Sequence, residues 1–87
     1  MDYIVQKQDS IIVIEETKKQ VKNSIVEQFI SIRKAKHLTQ EDIARRTGIA
    51  RSNIARIESG KYVPTIEVLT KLAIALDMNL EIQFTEK

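Results

Sequence analysis

Cysteine is absent from this chain, and glycine, proline and histidine are scarce, at two, one and one. Without cysteine there is no disulfide, no thiolate metal site and no cysteine nucleophile. That composition fits a reducing cytoplasm, which is the expected location. A single histidine is a poor basis for a metal centre, so no metal or other cofactor is expected. Two glycines and one proline allow few tight turns, which favours a helical fold over a many-turned sandwich. No apolar run approaches the roughly 20 residues that a membrane-spanning helix needs. The first ten residues, MDYIVQKQDS, lack a basic stretch followed by an apolar one, so no secretory signal is expected.

What is present is enough for one small domain. The 87 residues are 43% hydrophobic and 30% charged. A domain of this size buries a modest share of its surface and gains from association with a second copy. The net charge is only +2, but it is unevenly spread. Residues 1–24 are neutral overall, 25–64 carry net +4, and 65–87 carry net −2. The central excess is where a phosphate backbone would be met.

Ile11 to Ile14 are four β-branched residues in a row, which suggests a short strand but is too brief to exclude the start of a helix. Glu15 to Asn23 is polar and helix-compatible. Ser24 and Glu27 have the spacing of a capping box, and Ile25, Phe29 and Ile32 follow at helical spacing. A helix is expected from Ile25 to Lys36. Thr39 is a good N-cap for a second, Gln40 to Thr47, which Gly48 ends. A third helix, Ala50 to Ser59, follows after two or three residues and stops at Gly60. Thr65 caps a fourth, with Ile66, Leu69, Leu72, Ala73 and Leu76 as its apolar stripe. Leu80 to Phe84 alternates apolar and polar, the clearest strand pattern in the chain. The expected organisation is an N-terminal extension at 1–24, a helix-turn-helix domain at 25–77 and a C-terminal strand and tail at 78–87 for dimer or partner contact. The expected fold class is mainly α, a helical bundle with a C-terminal β-strand and a candidate N-terminal one.

Two short helices joined by a tight turn cross at a large angle, and close crossing needs small residues such as Ala44 and Gly48. With Ile43, Ile49, Ile54 and Ile57 in the core, the third helix keeps one face free. That face carries Arg51, Ser52, Asn53 and Arg56. Arginine can make paired hydrogen bonds to guanine in the major groove, and asparagine to adenine. The adjacent acids Glu15-Glu16 and Glu41-Asp42 point apart on a helix and make poor acid–base couples. Nothing in the chain has the pattern of a phosphate-cradling glycine loop or a nucleophile elbow, so no enzyme is expected.

The stretches Leu38-Thr39-Gln40-Glu41-Asp42-Ile43-Ala44, Gly48-Ile49 and Ile54-Ala55-Arg56-Ile57-Glu58-Ser59-Gly60-Lys61 resemble the phage-repressor (Cro-like, XRE-type) helix-turn-helix family. Pro64 to Leu76 fits the same family's later helices, so the resemblance covers residues 25 to 77. It implies that Arg51, Ser52 and Arg56 read bases, with Asn53 at a base edge or phosphate, and that Gln40 and Lys61 bind phosphate. It also implies a partly buried ion pair of Arg33 with Glu58. The family often has Ser or Thr where Ala50 stands, so the side-chain cap of the third helix is missing here. The implied function is sequence-specific transcriptional regulation, as a repressor, by a homodimer on a double-stranded DNA operator. The chain is also similar to antitoxins of toxin–antitoxin pairs, in which a toxin protein would be the partner and DNA binding the autoregulation.

Overall fold

The computed structural model describes the chain from Lys7 to Lys87, with side chains from Ser10 onward. Four helices make up its regular structure: α1 (Lys7–Ala35), α2 (Gln40–Thr47), α3 (Arg51–Glu58) and α4 (Ile66–Ala75). Among the described residues no helix is long and apolar enough to cross a membrane.

Local chemistry sets most of the boundaries. Thr39 accepts the amide of Asp42 at 3.0 Å, and the Asp42 carboxylate accepts the amide of Thr39 at 2.8 Å. This reciprocal box satisfies two amides that α2 leaves without internal partners. Gly48 ends α2 at φ 77, a left-handed conformation that costs glycine nothing, and its amide returns to the Ala44 carbonyl. Thr65 caps α4 by accepting the amide of Val68 at 3.1 Å. Arg33 and Lys34 close α1, where cations suit the negative end of the helix dipole.

The core forms where the four helices meet. Val26 and Phe29 of α1, Ile43 of α2, Ile54 and Ile57 of α3, and Leu72, Ala75 and Leu76 at the end of α4 are buried together. Ile43, Ile54 and Ile57 are essentially sealed from solvent. Burying a side chain of that size stabilises by about 1.5–3 kcal/mol, so these three fix how α2 and α3 cross. Three lysine and arginine side chains tie the ends. Lys36 donates to the Leu76 carbonyl at 2.6 Å and Arg46 to the Ala75 carbonyl at 2.9 Å, both at the C-terminal end of α4. Lys22 donates to the Gly60 carbonyl at 3.0 Å.

The architecture departs from the sequence expectation at both ends. Ile11 to Ile14 are helical, inside α1, and no strand is present among the described residues. Four β-branched residues are a weak preference that a 29-residue helical run overrides. Thr17 fits the helix by donating its hydroxyl to the Val13 carbonyl at 2.8 Å. Ser24 does not start a helix either: α1 runs straight through it, from Lys7 to Ala35. The part of the expected N-terminal extension before Lys7 lies outside the described residues.

Leu80 to Phe84 is likewise not a strand. Alternation prepares a segment for two-faced pairing, but a strand exists only where a second one supplies the ladder of backbone hydrogen bonds. No such partner runs beside it among the described residues. Leu80 is half-buried, while Ile82 and Phe84 are exposed. The fold is therefore all-helical, with an irregular tail.

Candidate nucleic-acid interface

The turn between α2 and α3 fixes the geometry of the exposed helix. The Thr47 hydroxyl donates to the Ile43 carbonyl at 2.8 Å and accepts the amide of Ile49 at 3.1 Å. Ala50 then stands at the N-cap of α3 with extended backbone, φ −58 and ψ 139, and makes no side-chain cap. From there α3 has two unlike faces. Ile54 and Ile57 point into the core, whereas Arg51, Ser52, Asn53 and Arg56 are exposed. The four side chains expected to read bases are thus carried together on one free helix face.

Arg51 stands 4.0 Å from Glu41, both side chains being well exposed. An exposed pair at that distance contributes a few tenths of a kcal/mol at most, so Arg51 is readily turned to another partner. Arg45, on α2, pairs with Asp42 of the same helix. That contact and the two hydrogen bonds with Thr39 hold the Asp42 carboxyl below its usual range, the backbone amide of Thr39 being the largest cause.

Behind the exposed face, Arg33 of α1 reaches Glu58 at the end of α3. Its Nε and Nη2 donate to the two carboxylate oxygens at 2.8 and 2.9 Å. Its Nη1 donates to the Leu38 carbonyl at 2.8 Å. Gln40 adds a fourth contact, donating to Glu58 at 3.1 Å. The pair is almost wholly buried, with side-chain exposures of 10% and 9%. Three segments (the end of α1, the start of α2 and the end of α3) are therefore locked by one planar ion pair. Gln40 sits half-buried at the first turn of α2, with its side chain turned to this network. Lys61 is exposed just past α3, its amide bonded to the Arg56 carbonyl at 3.1 Å.

An open hollow separates the end of α1 from the starts of α2 and α3, bordered by Lys34, His37, Gln40 and Arg51. His37 holds a positive φ of 58 in the turn that brings these ends together. Sequence reasoning did not find the roles of Arg46, Lys36 and Lys22. Each reaches a carbonyl 29 to 40 residues away, and local pattern carries no signal for such contacts.

Comparison with known proteins agrees with this geometry. A helix-turn-helix family model matches residues 30–83, well over half of the chain. The ImmF control region 10 kDa protein of Bacillus phage phi105 is 36% identical over 50 residues, covering 58% of this chain and 56% of that protein. An uncharacterised HTH-type transcriptional regulator of Methanocaldococcus jannaschii is 40% identical over 45 residues, covering 52% and 68%. The cryptic phage CTXphi transcriptional repressor RstR of Vibrio cholerae is 37% identical over 57 residues, covering 66% and 51%. The chain thus spans about half the length of the two phage relatives. No solved structure matches it significantly. With two short helices crossed on a sealed isoleucine core, and a family match over the same residues, this chain belongs to the helix-turn-helix family.

Proposed function

We propose that this protein is a sequence-specific DNA-binding transcriptional regulator, a repressor, that reads the major groove with α3 as a homodimer. One observation carries the reading: α3 seals Ile54 and Ile57 on one side while holding Arg51, Ser52, Asn53 and Arg56 free on the other. In this reading Arg51, Ser52, Asn53 and Arg56 contact base edges, and Arg51 exchanges its weak contact with Glu41 for one on DNA. Lys61 contacts phosphate. Gln40 does so at the first turn of α2, where the helix dipole favours an anion. The Arg33–Glu58 pair sets the angle at which α3 is presented. The names of the two phage relatives, a control region protein and a repressor, support regulation as the purpose of that contact. The cytoplasm is the corresponding location. No observation favours the antitoxin reading.

The test is affinity for duplex DNA at several salt concentrations. Binding whose logarithm falls linearly with the logarithm of salt supports the reading, because phosphate contacts release counterions. Absence of duplex binding by the folded protein at low salt overturns it.

A further inference from the structure

Among the described residues, the N-terminal half of α1 supplies none of the hydrophobic core. All α1 residues of the hydrophobic core and its margin lie from Ile25 onward. At 29 residues α1 is about 43 Å long. It gives the molecule an extent of 48 Å against 25 and 20 Å, and a radius of gyration of 15.5 Å. A compact chain of this length would have a radius near 12 Å. Yet the projecting half, otherwise polar, carries one fully apolar turn and a further valine. Ile11, Ile12, Val13 and Ile14 are 53–59% exposed and Val21 is 64% exposed. Four consecutive apolar residues cover every side of one helical turn, and such a turn is normally a buried one.

One side of this half-helix is the wall of an apolar groove. Val13, Ile14, Val21 and Ile25 form that wall together with Thr17, Lys18 and Lys22, and Val63, Pro64 and Leu69 face them from α4 and the loop before it. No residue of the 78–87 tail lines the groove. Ile14, Lys18, Val21 and Ile25 recur at spacings of four, three and four, the seam of a helix that pairs with another helix.

We propose that this groove is an interface between two copies of the chain, in which the N-terminal halves of α1 pack antiparallel about a two-fold axis near Lys18. Charge selects both the occupant and its direction. Glu15 and Lys22 lie seven residues apart on one flank of the seam. A parallel pair in register sets Glu15 against Glu15 and Lys22 against Lys22. The antiparallel pair sets Glu15 of each copy against Lys22 of the other, whose ammonium also donates to the Gly60 carbonyl of its own chain at 3.0 Å. In the same register Ile14 of one copy enters the space between Val21 and Ile25 of the second, the knob-into-hole contact of such pairs. The apolar turn at 11–14 then lies beside Val63 and Pro64 of the second copy, which accounts for its being apolar on more than one side. Lys18 keeps its ammonium at the edge of the seam, 3.4 Å from Glu15 of its own helix.

This proposal rests on the homodimer reading above but not on the DNA contacts. Its test is sedimentation equilibrium of the full chain without DNA, with affinity for a single half-site measured separately. The wild type is expected to be a dimer. Glu15→Lys and Lys22→Glu are each expected to raise the dimer dissociation constant on the order of tenfold, since two attractive pairs become repulsive. Mixing the two variants, or combining both changes in one chain, is expected to restore dimerisation. Ile14→Asp is expected to give a monomer whose helix content, by circular dichroism, is otherwise close to wild type. A monomeric wild type overturns the proposal, as does a dimer indifferent to all of these changes or one lost only on Phe84→Asp. Loss of half-site binding with the dimer intact instead speaks against the DNA reading alone.

Discussion

Arg33 and Glu58, 25 residues apart in sequence, meet as a planar two-point ion pair at 2.8 and 2.9 Å behind the exposed face of α3. The pair is buried, so its attraction is offset by the cost of taking both charges out of water. Removing one partner leaves the other charged and enclosed. Arg33→Met or Glu58→Leu alone is expected to destabilise the fold by about 3–5 kcal/mol. For a domain of this size that lowers Tm by about 12 °C or more. The double variant is expected to recover at least half of the loss, because no unpaired charge remains. Thermal unfolding of the three variants checks this.

The Asp42 carboxyl sits below its ordinary value of 3.8 because it accepts hydrogen bonds from the Thr39 amide and the Thr39 hydroxyl and faces Arg45. A folded-state value below the unfolded one means stability that is present above pH 3.8 and lost as pH falls through the lowered value. Asp42→Ala is therefore expected to be less stable than wild type near neutrality, and the difference to vanish in acid below that value. Denaturant unfolding of both proteins across pH measures it.

Ala50 occupies the cap of α3 with suitable extended backbone but no side-chain acceptor. Ala50→Ser is expected to stabilise the protein by about 0.5–2 kcal/mol by accepting a first-turn amide. Urea unfolding gives the figure directly. No gain would mean that those amides are already satisfied, that of Asn53 by the Ala50 carbonyl at 2.9 Å.

The exposed face of α3 and its surroundings are expected to respond differently to truncation. Arg51→Ala or Arg56→Ala should cost about 1–3 kcal/mol of specific binding and relax preference at one base pair. Lys61→Ala should weaken all sequences alike and lower the salt slope by about one unit. Titrations of matched and mismatched duplexes at two salt concentrations separate the two behaviours.

The middle of the chain was legible because its signals are local. Thr39 and Gly48 bound α2 at Gln40 and Thr47, and Gly60 at φ 81 stops α3, as their chemistry predicts. Ile54 and Ile57, three residues apart, define the buried side of α3 and hence its free side. The ends were misread because their signals are not local. Ser24 has the right neighbours for a cap, but a helix already in progress leaves no free amide there to cap. Leu80 to Phe84 has a strand's alternation and no ladder partner among the described residues. Ile11 to Ile14 look like a strand because β-branched residues favour one, yet a long helix accommodates them. Arg46 carries no local signal of its role, because the carbonyl it serves, that of Ala75, is distant in sequence.

The most direct test of sequence-specific reading by α3 is selection of bound duplexes from a random DNA pool by the purified protein near physiological salt. Enrichment of a site with two inverted halves about one helical turn apart is the predicted result, and it should be lost when Arg51 and Arg56 are both replaced by alanine. A folded protein that enriches no sequence, or that enriches the same site without those arginines, would contradict it.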